Sequence, residues 1–419
     1  MIAHPGLRFT DHTVTVPLDH VRPDDGTIEV FAREVVAADR AGEDLPWLLY
    51  LQGGPGGKSP RPVRAESWIG HAVKTHRVLL LDQRGTGRST PIVAATAGGR
   101  TDAELAWYLS LFRADSIVAD AEILRERIAG GAKWDTLGQS YGGFITMVYL
   151  SAAPQGLRTC YVTGGLPGLT ATADEVYART YPRVAGKNAE FYAAFPGDRA
   201  AVRRIADHLA GEDVRLPDGD RLTVPRLRAL GNAFGMSYGY AEVHWLLDEA
   251  WHGPALSDTF RYQVMMRTGF VDQPLFALQE YCYGQANGPT GWAADRALAA
   301  HPAFAADRDP LLFTGEMMYP WMFEQVAALR PFAGAAHILA AREDWPVLYD
   351  RGRLAANEVP VLAAVYADDM YVDAGLSLET AAAVGNVRAW VTNEHQHDGL
   401  RTAGPEVLGH LMEMAGGRR

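Results

Sequence analysis

Residues 136–143 read TLGQSYGG, and an apolar helical pattern follows from Phe144 to Leu150. The stretch contains Gly-x-Ser-x-Gly, which is typical of a nucleophile elbow, where a strand ends, the chain turns sharply and a helix begins. Glycines suit such a turn because a Cβ atom would collide where the helix meets the neighbouring strand. The pattern predicts that the Ser140 hydroxyl projects from the sheet and that the Tyr141 amide faces an oxyanion. The same five residues also fit an ordinary turn, so the interpretation needs support elsewhere in the chain.

The apolar runs around this stretch predict an α/β fold. A hairpin of alternating strands is expected in the first forty residues, and a helical pattern spans 116–128. Runs of strand length lie at 45–51, 77–81, 159–163, 359–366 and 387–392. Alternation of strand and helix predicts a mostly parallel central sheet with right-handed crossovers.

The composition changes after the elbow region. From about Leu169 to Phe332 the chain is rich in Ala, Arg, Leu and aromatic residues at helical spacing. We therefore expect a helical cap domain at 169–335, inserted between a first part of the core at 1–168 and a second part at 336–419.

Charge and cysteine usage exclude several classes of protein. The 419 residues carry a formal charge of −11 without a run of Lys or Arg, so nucleic acid is not an expected partner. Cys160 and Cys282 are far apart and suggest neither a disulfide framework nor a zinc site. We expect a cytoplasmic protein without a membrane partner, because no export signal and no apolar run of membrane-spanning length is present. The sequence makes no prediction of the oligomeric state.

Chemically suggestive residues follow the carboxyl ends of three predicted strands. Ser140 follows the elbow strand, an Asp-Asp pair follows the strand at 359–366, and two histidines follow the strand at 387–392. Sites in open α/β sheets are built at this edge, and the order serine, aspartate, histidine is that of an α/β-hydrolase. A hydroxyl needs an imidazole to take its proton, and a carboxylate fixes the imidazole tautomer. The constellation predicts a serine hydrolase.

Two choices within this constellation are open. Asp368 and Asp369 adjoin, and because successive strand residues point to opposite sides only one can face the histidine. We favour Asp369. His395 and His397 are two residues apart, and with the acidic residues beside them they also resemble a metal cluster. The metal interpretation is poorer because no His-Glu-x-x-His motif is present. We take His397 as the base and His395 as a solvated or packing residue, and we expect neither a metal nor another cofactor.

The chain resembles a known family in three motifs. QGGPG at 52–56, DQRGTGRS at 82–89 and GQSYGG at 138–143 are similar in order and spacing to the motifs of the proline iminopeptidases, or prolyl aminopeptidases, of the α/β-hydrolase superfamily. The resemblance spans nearly the whole chain. Gln52 departs from the His that the family usually has there, which barely affects a loop that works through its backbone. The resemblance implies that the Gly54 amide completes an oxyanion hole with the Tyr141 amide.

The resemblance also implies a role for the helical cap. In this family the cap roofs the site and carries carboxylates that hold the free N-terminal ammonium of a peptide, and Glu280 and Glu316 look like those positions. Each lies among apolar and aromatic residues, where a charge needs a partner. The alternative is an ion pair with a nearby arginine, such as Arg296 or Arg330.

The resulting expectation is a serine aminopeptidase. It would release an N-terminal residue, preferentially proline, from a peptide substrate with a free N-terminus through an acyl-enzyme on Ser140. Other hydrolases with the same triad, such as a tripeptidyl aminopeptidase, an amidase or an esterase, are alternatives. A hydrolase-like binding protein without turnover is a further alternative.

Overall fold

The computed structural model describes residues 2–417, and in this range nine strands form one mixed sheet while a two-stranded hairpin lies apart. The strands are β1 (Ile2–His4), β2 (Leu7–Pro17), β3 (Thr27–Ala37), β4 (Trp47–Leu51), β5 (Arg77–Leu81), β6 (Trp134–Gln139), β7 (Leu157–Thr163), β8 (Trp251–His252), β9 (Ala255–Leu256), β10 (Val361–Tyr366) and β11 (Val387–Thr392).

The order of strands in the large sheet is β1-β2-β3-β5-β4-β6-β7-β10-β11. The six strands from β5 to β11 in this order pair in parallel, and β1, β2 and β3 add antiparallel pairs at one edge. Both the N-terminal hairpin and the mostly parallel sheet predicted from the sequence are confirmed. Strand β6, which leads to Ser140, lies between β4 and β7 in the middle of the parallel block.

Helices cover both faces of the sheet and fill the long connection between β7 and β10. They are α1 (Ser67–Ala72), α2 (Asp102–Ser110), α3 (Ala114–Ile128), α4 (Tyr141–Ala152), α5 (Ala173–Ala194), α6 (Asp198–Gly211), α7 (Val224–Arg228), α8 (Gly239–Asp248), α9 (Asp258–Thr268), α10 (Ala293–Ala300), α11 (Pro320–Gln325), α12 (Ala333–Ala340), α13 (Arg351–Ala355), α14 (Ala374–Ala383), α15 (Gly399–Thr402) and α16 (Gly404–Ala415).

The central strands are buried on both faces because their successive residues enter two different cores. In β4, Leu49 and Leu51 pack into a core that α2, α3 and α4 complete. Leu48 and Tyr50 point the other way, into a core closed by α1 and α16. Burial on both faces explains why these strands are continuous apolar runs rather than alternating ones.

The connection between β7 and β10 is mainly helical. It holds α5 to α13, the hairpin β8–β9, and a 3₁₀ segment, Pro274–Cys282, that carries Glu280. Helix α12 packs against α2, so this connection returns to the core before β10 begins. The domain boundaries at 168/169 and 335/336 stay a prediction. Among residues 2–417, none of the helices has the length and apolar character needed to cross a membrane.

Candidate active site

Ser140 lies at the sharp turn between β6 and α4. Its backbone has φ 54° and ψ −122°, a conformation that non-glycine residues rarely adopt and that costs roughly 1–3 kcal/mol. The Ser140 amide donates to the Thr163 carbonyl at 3.0 Å, and the Ser140 carbonyl accepts from the Gly143 amide at 2.8 Å. These bonds hold the turn against its strain. The structure thus has the strand, turn and helix that TLGQSYGG predicts.

The glycines around Ser140 are required by close backbone contacts. A Cβ atom on Gly142 would lie 1.9 Å from the carbonyl oxygen of Leu51, and one on Gly143 would lie 2.3 Å from that of Gly165. Helix α4 therefore presses directly onto β4 and onto the segment after β7. Any side chain at either glycine would push the helix start, and with it Ser140, away from the sheet.

The glycine-rich loop after β4 lies against the Ser140 side chain. A Cβ atom on Gly53 would be 2.9 Å from the Ser140 Cβ, so the backbone of the loop packs directly against the Ser140 side chain. Gly54 has φ 123°, which side-chain-bearing residues avoid. The Gln83 side-chain amide donates to the Gln52 carbonyl at 2.8 Å and ties the loop to the end of β5.

Two backbone amides near Ser140 have no acceptor. Between residues 2 and 417, neither the Gly54 amide nor the Tyr141 amide donates a hydrogen bond. The Tyr141 amide also belongs to the first residue of α4, where the helix dipole favours negative charge. The two amides are free to receive an anionic oxygen that forms on a carbon attached to Ser140.

His397 and Asp369 meet at the carboxyl edge of the sheet. The Nδ1 atom of His397 lies 2.6 Å from Oδ2 of Asp369. The other oxygen, Oδ1, accepts from the amides of Tyr371 at 2.8 Å and Val372 at 3.1 Å. The Tyr371 ring packs edge-on against the imidazole. With Nδ1 engaged, Nε2 is the nitrogen left for proton transfer.

The Nε2 atom of His397 faces the elbow. It lies 3.5 Å from the side-chain nitrogen of Gln139, the residue before Ser140. Within the described chain the Ser140 hydroxyl itself makes no hydrogen bond, and catalytic hydrogen bonds are often long in active sites without substrate. Burial lowers the pKa of His397, but Asp369, Glu316 and Asp398 raise it, and the balance leaves the pKa above its ordinary value.

The two members of each neighbouring pair, Asp368 and Asp369, and His395 and His397, have different surroundings in the structure. Asp368 points into solvent, with 55% of its side chain exposed, and pairs with Arg183 at 3.3 Å. The His395 ring packs edge-on against Tyr366 and Trp390, which fits a packing residue. The structure therefore brings Asp369 and His397 together and leaves Asp368 and His395 outside this pair. The catalytic roles of Asp369 and His397 stay a prediction.

The metal interpretation groups different residues from the ones that the sequence suggests. His395 lies with Glu394 and Glu406 so that ligand atoms of the three are within 4.8 Å of one another. His397 is not in this group, because its Nδ1 is bound to Asp369. Both glutamates are exposed, and a surface group of this kind is common without an ion.

Glu316 carries a carboxylate near the His397–Asp369 pair. Across residues 2–417 this carboxylate has neither a hydrogen bond nor an ion pair, and only its backbone carbonyl accepts, from Gln279. Burial raises the pKa of Glu316 to about 8; His397 lowers it and Asp369 raises it, so both lie within electrostatic reach. The geometry leaves an acid beside the site without a partner in the described chain.

Glu280 is also buried, but its carboxylate is engaged. It accepts from the amides of Ala293 at 3.1 Å and Ala294 at 2.9 Å, at the start of α10. Burial raises the pKa of Glu280 to about 7, while these two amides lower it in part. Glu280 is thus held by a helix N-terminus, which stabilises a negative charge.

The alternative of an arginine partner is wrong for both glutamates. Arg296 bonds Asp174 through its Nη2, at 2.6 Å, and influences Glu280 only from a distance. The Arg330 guanidinium bonds Asp220. Each arginine has a nearer acid than either glutamate, which is why this alternative pairing does not form.

Tyr177 is a residue of this region that the sequence analysis missed. Its side chain is buried, and its hydroxyl has no hydrogen-bond partner among residues 2–417. Burial and then the charge of Glu280 raise the pKa of Tyr177, with Tyr283 and Glu316 adding to the effect. The hydroxyl thus lies within electrostatic reach of both acids. No sequence signal marks it, because a tyrosine at helical spacing in α5 looks like any core residue.

The fold and the order of these residues define the class of the protein as an α/β-hydrolase. A family model described as "alpha/beta hydrolase fold" matches residues 46–215. The chain is 48% identical to a proline iminopeptidase from Aeromonas sobria over 98% of this chain and 97% of the relative. It is 34% identical to a proline iminopeptidase from Aspergillus aculeatus over 98% of this chain and 94% of that relative. The chain belongs to the proline iminopeptidase family.

Proposed function

We propose that this protein is a prolyl aminopeptidase that removes N-terminal proline from peptides through an acyl-enzyme on Ser140. The observation that carries the proposal is the Glu316 carboxylate, which is partly buried, lies within electrostatic reach of the His397–Asp369 pair and has no partner in the described chain. A free N-terminal ammonium is a cation that would lie next to the scissile carbonyl of such a substrate. Relatives that align over nearly the whole chain are named proline iminopeptidases, which supports the same reaction.

The reaction follows the order of a serine hydrolase. The Ser140 hydroxyl attacks the carbonyl of the N-terminal residue while His397 Nε2 takes its proton. Asp369 holds Nδ1 of the imidazole and stabilises the imidazolium that forms. The free amides of Gly54 and Tyr141 bind the oxyanion. His397 then gives its proton to the leaving peptide amine, and water hydrolyses the acyl-enzyme by the same steps.

The helical connection recognises the substrate's first residue. Glu316 pairs directly with the ammonium, and Glu280 adds negative charge from the start of α10. The Tyr177 hydroxyl, within electrostatic reach of both acids, accepts one further N–H of the ammonium. Tyr371, which packs on His397, also lines a small cavity with Phe144.

We also place the enzyme in the cytoplasm. Its cysteines, Cys160 and Cys282, are free thiols buried in the protein. Burial raises the pKa of each to about 12, which keeps both as unreactive thiols. Free thiols of this kind fit a reducing compartment, where disulfides are rare.

The direct test is Ser140→Ala measured with proline β-naphthylamide. We expect release of proline to fall by at least about 10⁴-fold, because the nucleophile is lost. Circular dichroism should show an unchanged fold. The wild-type protein should also be labelled at Ser140 by a fluorophosphonate probe, and a binding protein with an idle serine should not. Turnover that survives in the Ser140→Ala variant would refute the proposal.

A second substrate pair tests the ammonium requirement. N-acetylated proline β-naphthylamide lacks the positive charge that Glu316 is proposed to bind. We expect the wild-type enzyme to cleave it at least about 100-fold more slowly than the free amine, since the Glu316 carboxylate would lose its charged partner. Equal rates on both would favour a general amidase or esterase.

A further inference from the structure

A cavity of about 470 Å³ opens beside His397, with a wall formed mainly by the core and, from the helical connection, by Met236. Gln52, Gln139 and His397 form its inner end, and segments 60–69 and 398–401 form most of the remaining wall. Neither Glu280 nor Glu316 lines it. We call it the leaving-group cavity, because His397 must deliver its proton to the leaving amine and the amine must therefore lie at the imidazole.

The wall of the leaving-group cavity is rich in arginine. Arg61, Arg64 and Arg401 line it, against the two acids Glu66 and Asp398. This excess of positive groups is a local departure in a chain with a formal charge of −11. The leaving-group cavity thus presents arginine side chains to a ligand, whereas the helical connection presents two glutamates.

The three arginines differ in how far they are engaged. Arg61 binds Asp82, which is fully buried, and is fixed by that ion pair. Arg64 and Arg401 each have 69% of the side chain exposed. Arg64 uses Nε for Glu66, and Arg401 uses Nη2 for Asp398 at 2.8 Å. A guanidinium has five N–H donors, so both keep donors for an additional anion.

The Asp398 carboxylate binds Ser237 as well as Arg401. Its Oδ1 accepts from the amide of Ser237 at 3.0 Å and from the Ser237 hydroxyl at 2.6 Å. Burial raises the pKa of Asp398, but the bonds from Ser237 and Arg401 outweigh it and leave the pKa below its usual value. Asp398 is thus a fixed anchor that orients Arg401 toward the leaving-group cavity, and its charge is shared with Ser237.

We infer that the leaving-group cavity holds the peptide released by the reaction, and that Arg64 and Arg401 bind its C-terminal carboxylate. The inference rests on the proposed aminopeptidase function and defines its substrate class as short peptides with a free carboxyl end. An extended residue spans about 3.3–3.6 Å, so the carboxylate of a tripeptide lies within reach of the cavity wall and that of a much longer peptide lies beyond it. The acids at one end and the arginines at the other match the two charges of a short zwitterionic peptide.

The test compares each peptide with its C-terminal amide. Pro-Ala-Ala and Pro-Ala-Ala-amide differ only in the carboxylate, and the ratio of their kcat/KM values measures its recognition. We expect a ratio of about five for the wild-type enzyme, as two exposed arginines would give. For the seven-residue peptide with six alanines the ratio should be about one. Ratios near one for both lengths would overturn the inference.

Variants assign the recognition to the arginines. Arg64→Gln should lower the tripeptide ratio, and the double variant with Arg401→Gln should bring it close to one. Glu66→Gln removes the surface partner of Arg64 and should raise the ratio. Arg199→Gln is the matched control, because Arg199 is an exposed arginine paired with Asp309 elsewhere.

The outcomes separate the two proposals. An equal fall of the ratio in the Arg199→Gln control, or an unchanged ratio in Arg64→Gln and in the double variant, would overturn the assignment to these arginines. Failure of the wild-type enzyme to release proline from any peptide, acid or amide, would instead refute the aminopeptidase function on which the inference rests.

Discussion

Two acids of the candidate active site have opposite surroundings. Asp369, on the core, accepts hydrogen bonds from the His397 imidazole and from the amides of Tyr371 and Val372. Glu316, on the helical connection, has a carboxylate without any bond in residues 2–417 and a pKa raised by burial to about 8. The core side is complete before a substrate arrives. The helical side keeps an acid whose partner must come from outside the chain.

The difference follows from what each acid is proposed to do. A carboxylate that orients an imidazole must stay in one position through the reaction, and several fixed donors achieve this. A carboxylate that binds a ligand must keep its acceptor oxygens free of partners within the protein, although an unpaired charge away from water is costly. Substitutions at the two acids should therefore change different measurable properties.

The largest effect is expected from Asp369→Asn. The amide would hold the wrong imidazole tautomer and would not stabilise the imidazolium, so kcat on proline β-naphthylamide should fall roughly 10⁴-fold. Asp368→Asn is the matched control, since Asp368 lies next in sequence but pairs with Arg183 at the surface. It should retain activity within about twofold. Comparable losses in both variants would show that the core side is not built around Asp369.

Glu316→Gln should have the next largest effect, and only on substrates with an ammonium. Loss of the charged partner should reduce kcat/KM for proline β-naphthylamide about 100-fold. Hydrolysis of a small uncharged ester by the same variant should change far less. Glu324→Gln, at an exposed position in α11, is the control and should behave as wild type on both substrates. Equal losses on the amine and the ester would contradict the proposed role of Glu316.

Much of the core side could be predicted from the sequence. TLGQSYGG carries the elbow because the close contacts at Gly142 and Gly143 admit no other residue, and that need is visible as a motif. Asp369 and His397 could be found because each follows a run of strand length; β10, before Asp369, is fully buried, and β11, before His397, is a partly exposed edge strand. The parallel sheet then brings these strand ends to one edge.

The helical side was less predictable because its contacts depend on how distant segments pack. Glu280 and Glu316 stand out as acids among apolar residues, but the sequence does not say that the start of α10 engages one of them and leaves the other free. The alternative of arginine partners was wrong for the same reason, since Asp174 and Asp220 lie closer to Arg296 and Arg330. Packing of irregular segments carries no periodic signal that the sequence would reveal.

The raised pKa of Glu316 should also affect the stability of the protein. Its pKa rises from the usual 4.5 to about 8 on folding, so the folded state binds the proton more tightly than the unfolded state does. The stability that this proton contributes is fully present below pH 4.5 and is lost as the pH rises through 8. Glu316→Gln should therefore raise the melting temperature by a few degrees, about 2–4 °C, at pH 9 and by less at pH 5. A difference that is the same at both pH values would show that the acid has a partner after all.

The smallest effect is expected from Tyr177→Phe, which removes a buried hydroxyl without a hydrogen-bond partner in the described chain. Because an unsatisfied buried hydroxyl costs free energy, its removal should leave the melting temperature unchanged or slightly higher. The same hydroxyl lies within electrostatic reach of Glu280 and Glu316. Because the ammonium should lose one acceptor in this variant, KM for proline β-naphthylamide should rise about threefold to tenfold while kcat changes less. Tyr181→Phe is the control on the same helix, because the Tyr181 hydroxyl already donates to the Ala294 carbonyl at 2.7 Å. It should lower the melting temperature and leave KM near its wild-type value. If Tyr177→Phe destabilised the protein as much as Tyr181→Phe does, the Tyr177 hydroxyl would be a structural group. It would then not be available to bind the ammonium.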